Sequence, residues 1–181
     1  MLLLILIFPV VALLEFQLHS YNLSINNRIV NISVSLFECL ILMLIGFFYF
    51  QTFKFHRLWR SYYLKKSFET QKYFSFLGVP FFQIILTKSF MRYANPRVYL
   101  KGRKRDYIKI LHEETKQSET SHLITILVTI PFQVNYFLMD KMMLFWSLTL
   151  LSIFFNVYPI LLQRMNRFLL ETRFSGLIGE Q

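Results

Sequence analysis

Apolar residues are concentrated in four runs, which cover about residues 1–18, 34–50, 122–139 and 143–163. A helix rises ~1.5 Å per residue, so each run approaches the length needed to cross a ~30 Å hydrocarbon core. The pattern predicts an all-α integral membrane protein with about four transmembrane helices, folded as one membrane domain.

The first run could instead be a secretory signal peptide. No basic residue precedes it and no small-x-small cleavage pattern follows it, so we interpret it as an uncleaved first span. Residues 19–33 are polar and rich in Asn and Ser, and we expect them to form a loop. Glu15 and Glu38 fall within the first two runs, where they could pair with each other or lie separately at headgroup depth.

The third and fourth runs are separated by Asp140 and Lys141, which predicts a tight turn and an antiparallel helical hairpin. Pro131 and Pro159 interrupt the two runs. Proline is tolerated in membrane helices and often opens a local gap in the backbone hydrogen bonding.

Positive charge lies almost entirely on one side of this arrangement. Of the 20 Lys and Arg residues, 15 lie in the segment 51–121 and 3 in the tail 164–181, whereas Arg28 and Lys141 lie in the two other connections. Basic residues stay on the cytoplasmic side of membrane helices. We therefore predict a multi-pass protein of the cell membrane with both termini and the large basic segment in the cytoplasm.

The basic segment 51–121 is expected to be partly helical and interfacial. Aromatic residues alternate with its Lys and Arg, as is typical of surfaces that lie on headgroups, and a nucleic-acid partner is disfavoured because apolar spans flank the segment. Residues 76–86 are apolar but too short to span, and we interpret them as an interfacial or re-entrant piece. The cluster 101–105 is either a lipid-facing topology anchor or a phosphate-binding patch.

Composition agrees with a membrane protein. Hydrophobic residues make up 55% of the chain and 21 residues are Phe, which is more than a soluble domain of this size would bury. The single cysteine, Cys39, excludes an intramolecular disulfide and a cysteine-based zinc site.

Candidate chemistry lies where the basic segment enters the third run. On a helix, Glu119 and His122 share a face, as do Ser118 and His122. A carboxylate beside an imidazole can fix its tautomer and make it a general base for a hydroxyl. Alternatively, His122 marks the water–lipid boundary and Glu119 pairs with Lys116. A metal held by His112, Glu119 and His122 is conceivable, but the spacing lacks the usual i, i+4 histidine pair, and no metal is expected.

The end of the fourth run carries an unusual density of polar residues for a helix leaving a membrane. They are Asn156, Tyr158, Gln163, Arg164, Asn166 and Arg167. The two arginines could bind phosphate or carboxylate, or could anchor the helix end at the membrane. The short hairpin should bring this segment back to the Glu114–His122 segment.

Residues 110–170 resemble the bacterial glycosyl-4,4'-diaponeurosporenoate acyltransferases of staphyloxanthin-type carotenoid synthesis. The similarity lies in three short stretches with the same order and similar separation as in the family. These are Glu114-Thr115-Lys116 with Glu119 and His122, then Asn156-Val157-Tyr158-Pro159-Ile160, then Gln163-Arg164-Met165-Asn166-Arg167.

The resemblance implies a membrane acyltransferase that moves a fatty acyl group from a cytoplasmic thioester donor, such as acyl-CoA, to a hydroxyl of a glycosylated or lipid-linked acceptor. His122 would be the base and Glu119 its orienting residue. The implied substrate-binding residues are Glu114, Lys116, Asn156, Tyr158, Gln163, Arg164, Asn166 and Arg167. Membrane lipid and an amphipathic acceptor are the expected partners, and no cofactor is expected.

The alternative function is a non-catalytic membrane subunit whose basic segment binds a protein partner or anionic lipid. The polar residues would then form a packing network between the third and fourth spans. An enzyme would instead need them around an accessible cavity.

Overall fold

The computed structural model describes residues 28–53, 60–63, 66–88 and 105–178, and every regular element within these ranges is helical. The helices are α1 (Arg28–Phe53), α2 (Gln71–Phe76), α3 (Val79–Lys88), α4 (Arg105–Leu138), α5 (Met142–Ser152), α6 (Tyr158–Arg173) and α7 (Ser175–Ile178). A 3-10 turn covers Arg60–Tyr63, and a π-helical turn, Ile153–Val157, connects α5 to α6.

Two helical stretches are long and apolar enough to cross a membrane, Tyr107–Leu138 and Met142–Arg173. The first covers the predicted third span up to residue 138, and the second contains the predicted fourth span. Helix α1 has a shorter apolar stretch, Asn31–Gly46. It begins at Arg28, so the prediction of a loop over residues 19–33 is wrong for residues 28–33. The predicted first span, residues 1–18, lies outside the described residues.

The predicted turn of the hairpin is confirmed. Helix α4 ends at Leu138 and α5 begins at Met142, and the amide of Lys141 bonds the Tyr136 carbonyl at 2.9 Å. Asp140 has φ 56°, a left-handed conformation that Asp adopts more readily than most residues. The turn therefore closes through backbone bonds over three residues.

The chain divides into two compact units, and the first comprises residues 1–54 and 121–157. Its core cluster is Cys39, Leu42, Phe132, Tyr136 and Leu148. Gly46 lies directly against Thr125, because a Cβ on Gly46 would be 2.0 Å from the Thr125 hydroxyl oxygen. The Tyr136 hydroxyl donates a hydrogen bond to the carboxylate of Glu38, a buried residue of α1.

The second unit comprises residues 55–120 and 158–181. Its main core cluster is formed by residues of α2, α3 and α6, namely Phe74, Val79, Phe82, Leu162 and Met165. Thr70 caps α2 by accepting from the Tyr73 amide at 3.2 Å. Gly78, at φ 71°, then turns the chain from α2 into α3. The break that Gly78 and Pro80 predicted within the apolar piece 76–86 is thus present.

Candidate active site

Asn156 owes its position to an irregularity in the helix that precedes Pro159. Proline has no amide hydrogen and its ring crowds the carbonyl four residues earlier, so it disturbs the regular hydrogen bonding of the helix turn before it. The chain responds with the π-helical turn Ile153–Val157. Turns of this kind are common at functional sites. Asn156 lies within it with its side chain fully buried.

His122 and Asn156, both in the first unit, form a side-chain pair. The Nδ1 of His122 lies 3.3 Å from the Oδ1 of Asn156, whose Nδ2 lies 3.4 Å from the hydroxyl oxygen of Ser152. When Nδ1 carries the proton and donates it to Oδ1, Nε2 carries a lone pair. The pair therefore presents His122 in the tautomer that a general base requires.

Glu119, in the second unit, is the centre of a buried ionic cluster. Its Oε2 lies 2.5 Å from Nη1 of Arg167, and its Oε1 lies 3.2 Å from Nη1 of Arg164. Both arginines extend from α6 and lie one turn apart. The carboxylate is fully buried, so the cluster satisfies the requirement that a buried charge be paired.

A second carboxylate and two tyrosines complete this cluster. Arg164 donates from Nε to Oε1 of Glu69 at 2.6 Å, and Glu69 also accepts from the Lys66 amide at 3.0 Å. The guanidinium carbons of Arg164 and Arg167 lie 5.2 and 5.4 Å from the ring centres of Tyr62 and Tyr63. The buried guanidinium group of Arg167 and the partly buried one of Arg164 are thus balanced by two buried carboxylates.

Glu69, Tyr62 and Tyr63 were not among the site residues predicted from the sequence. Glu69 is 95 residues from Arg164, and no local pattern connects them. The only available signal was that Glu69 is a rare acidic residue in the basic segment, which made a basic partner plausible. The tyrosines were interpreted only as part of an interfacial aromatic pattern.

The two tyrosines are held protonated. Burial, followed by the charge of Glu119 and a hydrogen bond to it, raises the pKa of Tyr62 to about 12. Burial also raises the pKa of Tyr63, whose hydroxyl bonds that of Thr120. A raised phenol pKa stabilises the fold below pH 10, and for Tyr62 this contribution is lost as the pH rises from 10 to about 12. Both rings are therefore neutral partners for the arginines at ordinary pH.

The conceivable metal ligands have protein partners instead. His112 places Nε2 2.9 Å from Oε1 of Glu171 in the second unit, where Glu119 binds the two arginines. His122 binds Asn156 in the first unit. Within the described residues, no group of three or more His, Cys, Asp or Glu side chains is arranged to hold a metal ion.

The other predicted site residues have diverse surroundings. Lys116 pairs with Glu113 at 2.7 Å rather than with Glu119, and Glu114 is half-buried. Tyr158 packs against Phe82 at 5.1 Å between ring centres. Gln163 and Asn166 are buried on α6.

Two sets of contacts join the segments that the sequence predicted to meet. His122 contacts Asn156 in the first unit, and Glu119 contacts Arg164 and Arg167 in the second. The observed partner of the His122 ring is an amide. An amide oxygen can hold an imidazole tautomer, as in Cys-His-Asn proteases. The role of Glu119 as the orienting residue of His122 stays a prediction.

Comparison with known proteins gives a family. A family model described as glycosyl-4,4'-diaponeurosporenoate acyltransferase matches residues 59–175, well over half of the chain. The match includes His122, Asn156 and the cluster around Glu119. No curated protein sequence and no solved structure gave a significant match. The family supports an acyltransferase activity in general, and the two long apolar helices together with this family suggest a membrane location. The chain belongs to the glycosyl-4,4'-diaponeurosporenoate acyltransferase family.

Proposed function

We propose that the protein is a membrane acyltransferase that moves a fatty acyl group from a cytoplasmic thioester, such as acyl-CoA, to a hydroxyl of a glycosylated or lipid-linked acceptor. The family is named for acyl transfer involving glycosyl-4,4'-diaponeurosporenoate. We propose an amphipathic acceptor of that kind for this protein. The observation that carries it is the His122–Asn156 pair in a chain of this family.

His122 acts as the general base in this proposal. Its Nε2 removes the proton of the acceptor hydroxyl while the hydroxyl oxygen attacks the thioester carbonyl carbon. The carbon–sulfur bond then breaks, and the imidazolium returns the proton to the leaving thiolate. Asn156 holds the Nδ1 proton throughout, which keeps the ring in one tautomer.

The arginines supply positive charge in the proposal. Arg164 and Arg167, with Lys116, bind donor phosphates or stabilise negative charge that develops on the carbonyl oxygen. A guanidinium has five N–H donors, so an arginine in an ion pair keeps others for an anion. Glu119 then serves to fix the two guanidinium groups. Glu114, Tyr158, Gln163 and Asn166 contribute to substrate binding.

The proposed enzyme is a single membrane domain with four spans and no resident cofactor. Both termini and the segment 51–121 face the cytoplasm, where a soluble thioester donor is available. The charge distribution along the sequence supports this orientation.

Replacing His122 with Ala tests the activity. Loss of a general base typically costs about 10²–10⁴-fold in rate, so we expect turnover to fall by that factor or to vanish while the protein still inserts and folds. Lipid extracts from cells with and without each variant would be compared by mass spectrometry for a mass difference of one acyl chain.

His112→Ala is the matched control. It makes the same substitution earlier on the same helix, at an imidazole that pairs with Glu171 rather than with Asn156. We expect acyl transfer to persist in this variant. Full activity of His122→Ala would show that the base assignment is wrong.

The burial of the Glu119 cluster also favours a second candidate, the non-catalytic subunit. Glu119 and Arg167 are buried against each other, as in a packing network. In that case no acyl-chain mass difference would appear with the wild-type protein, and His122→Ala would change nothing in the lipid extract.

A further inference from the structure

Helix α3 has two apolar faces, and only one of them is packed. Val79 and Phe82 are buried in the core cluster that includes Leu162 of α6. The opposite face carries Phe81, which is 68% exposed, and the exposed residues Ile84 and Ile85. A surface helix of a water-soluble protein has a polar outer face, so this helix is built for an apolar surrounding on both sides.

The turn before α3 extends the same apolar surface. Phe76, the last residue of α2, is 89% exposed. Gly78 then takes a positive φ that glycine adopts at no steric cost, so the backbone changes direction between two exposed phenylalanines, Phe76 and Phe81. Contiguous exposed apolar surface of this kind marks contact with protein or membrane.

The charges at its ends identify the partner. Lys72 is exposed in α2, and Lys88 is exposed at the end of α3. Lys88 follows Ile85 by three residues and Phe81 by seven, so it lies on the same face of α3 as they do. No Asp or Glu occurs between them. An apolar face bounded by lysines and free of acids is complementary to a leaflet of anionic lipid, whose phosphates receive the ammonium groups.

The length of α3 excludes a transmembrane role for it. Its 10 residues extend ~15 Å, about half of a ~30 Å hydrocarbon core. We infer that the α2–α3 turn is an interfacial anchor that inserts Phe76, Phe81, Ile84 and Ile85 among the acyl chains of an anionic leaflet, with Lys72 and Lys88 at the phosphates. The inference does not depend on acyl transfer.

Spin labelling of the full-length protein in vesicles tests this surface. Single cysteines replace Phe81 or Ile84 in a Cys39→Ala background, with Glu113→Cys, an exposed polar position on α4, as the control. The vesicles contain phosphatidylcholine alone or mixed with phosphatidylglycerol. Collisions of the label with oxygen, which concentrates in lipid, are compared with collisions with a water-soluble nickel chelate.

We expect labels at positions 81 and 84 to be open to oxygen and shielded from nickel, and the label at 113 to show the reverse. Adding phosphatidylglycerol should shift the first two labels deeper, and Lys72→Gln with Lys88→Gln should remove that shift. Nickel access at 81 and 84 would overturn the inference, as would shielding from both reagents, which would indicate cover by a second copy or another part of the chain. An unchanged depth in the two lipids would overturn the assignment of anionic headgroups.

The background substitution has its own check. Cys39 is buried, and we expect it to react little with the label. Treating the wild-type chain with the label measures how much signal this residue contributes. If Cys39→Ala lowers stability, Phe81→Trp replaces the labels in a chain whose own tryptophans, Trp59 and Trp146, are changed to Phe. Quenching of the Trp fluorescence at position 81 by lipids brominated on the acyl chains then gives the same distinction.

Discussion

Glu119 is the residue on which the buried charges of the second unit depend. Glu119 contacts Arg164 and Arg167, and Arg164 also forms an ion pair with Glu69. Removing one partner from a buried pair leaves an uncompensated charge, which costs far more than the pair contributes when intact. The Glu119 carboxylate is also a predicted catalytic residue. Its role in the ionic cluster affects the stability of the fold, whereas a catalytic role would affect turnover.

Glu119→Gln should lower the free energy of unfolding by about 3–5 kcal/mol, because Arg167 would keep its charge in a buried site without a counter-charge. Glu113→Gln is the matched control: it makes the same chemical change on the same helix, at a side chain that is 48% exposed. Its effect should be about 0–1 kcal/mol, as for other solvent-exposed pairs. Thermal unfolding in detergent measures both variants. Equal stability of the two would contradict the proposed role in fixing the arginines.

At this scale the sequence was informative about residue types and less so about partners. Asn156 was identified because polar side chains are rare in apolar runs, and His122 because Ser118 and Glu119 precede it at helical spacing. Arg164 and Arg167 were identified because guanidinium groups directly after an apolar run can bind anions. Their pairing was not predictable, because helical spacing favours Glu119 with His122, whereas the observed contacts join residues 34 to 48 positions apart. Only tertiary packing determines such contacts.

The π-helical turn is the element that matters most for the candidate base. It adds one residue to the helix turn before Pro159, and Asn156 occupies it. A change of one residue in a helix rotates the following side chains by about 100°. The turn therefore determines whether the amide of Asn156 is directed to His122.

Pro159→Ala should permit a regular α-helix through residues 153–157, because alanine restores the missing amide donor. We expect the His122–Asn156 contact to be lost and turnover to fall by about 10²-fold, the cost of a small misplacement of a catalytic group. Stability should be unchanged or higher. Pro131→Ala, within α4, is the control and should keep activity close to wild type. The measurement is the initial rate of acyl transfer with purified protein, and an unaltered rate in Pro159→Ala would show that the turn is dispensable.

Hydropathy predicted the long helices well and their starts poorly. The hairpin of α4 and α5 was expected because its apolar runs are long and its turn is polar. Helix α1 begins at Arg28, within a stretch that reads as polar. Hydropathy registers where side chains leave water, whereas a helix continues as long as its backbone groups remain hydrogen-bonded. The π-helical turn itself has no hydropathy signal beyond the proline.

For the whole molecule, the decisive property is the separation of positive charge along the chain. The formal net charge is +10, and most of the basic residues fall between the second and third apolar runs. Anionic lipid and the membrane potential hold such segments in the cytoplasm. The hairpin turn at Asp140–Lys141 should consequently be on the opposite side from the tail.

Cysteine labelling in intact cells checks this orientation. Lys141→Cys should react with a membrane-impermeant maleimide from outside, whereas Thr172→Cys, at the exposed end of α6, should react only after permeabilisation. Lys141 is chosen over Asp140 because a non-native residue at φ 56° would strain the turn. The reverse labelling pattern would show that the cytoplasmic orientation is wrong. The wild-type protein gives the background from buried Cys39.

The neutral cluster around Glu119 also constrains the order of biosynthesis. Glu119 is made 45 residues before Arg164, its first partner on α6. At ~5–20 residues per second, the ribosome needs about 2–9 s to cover that distance. A carboxylate without a counter-charge is costly away from water. Glu119 therefore has to remain hydrated or take up a proton while the hairpin is being made, and its ion pairs can form only when α6 has left the ribosome.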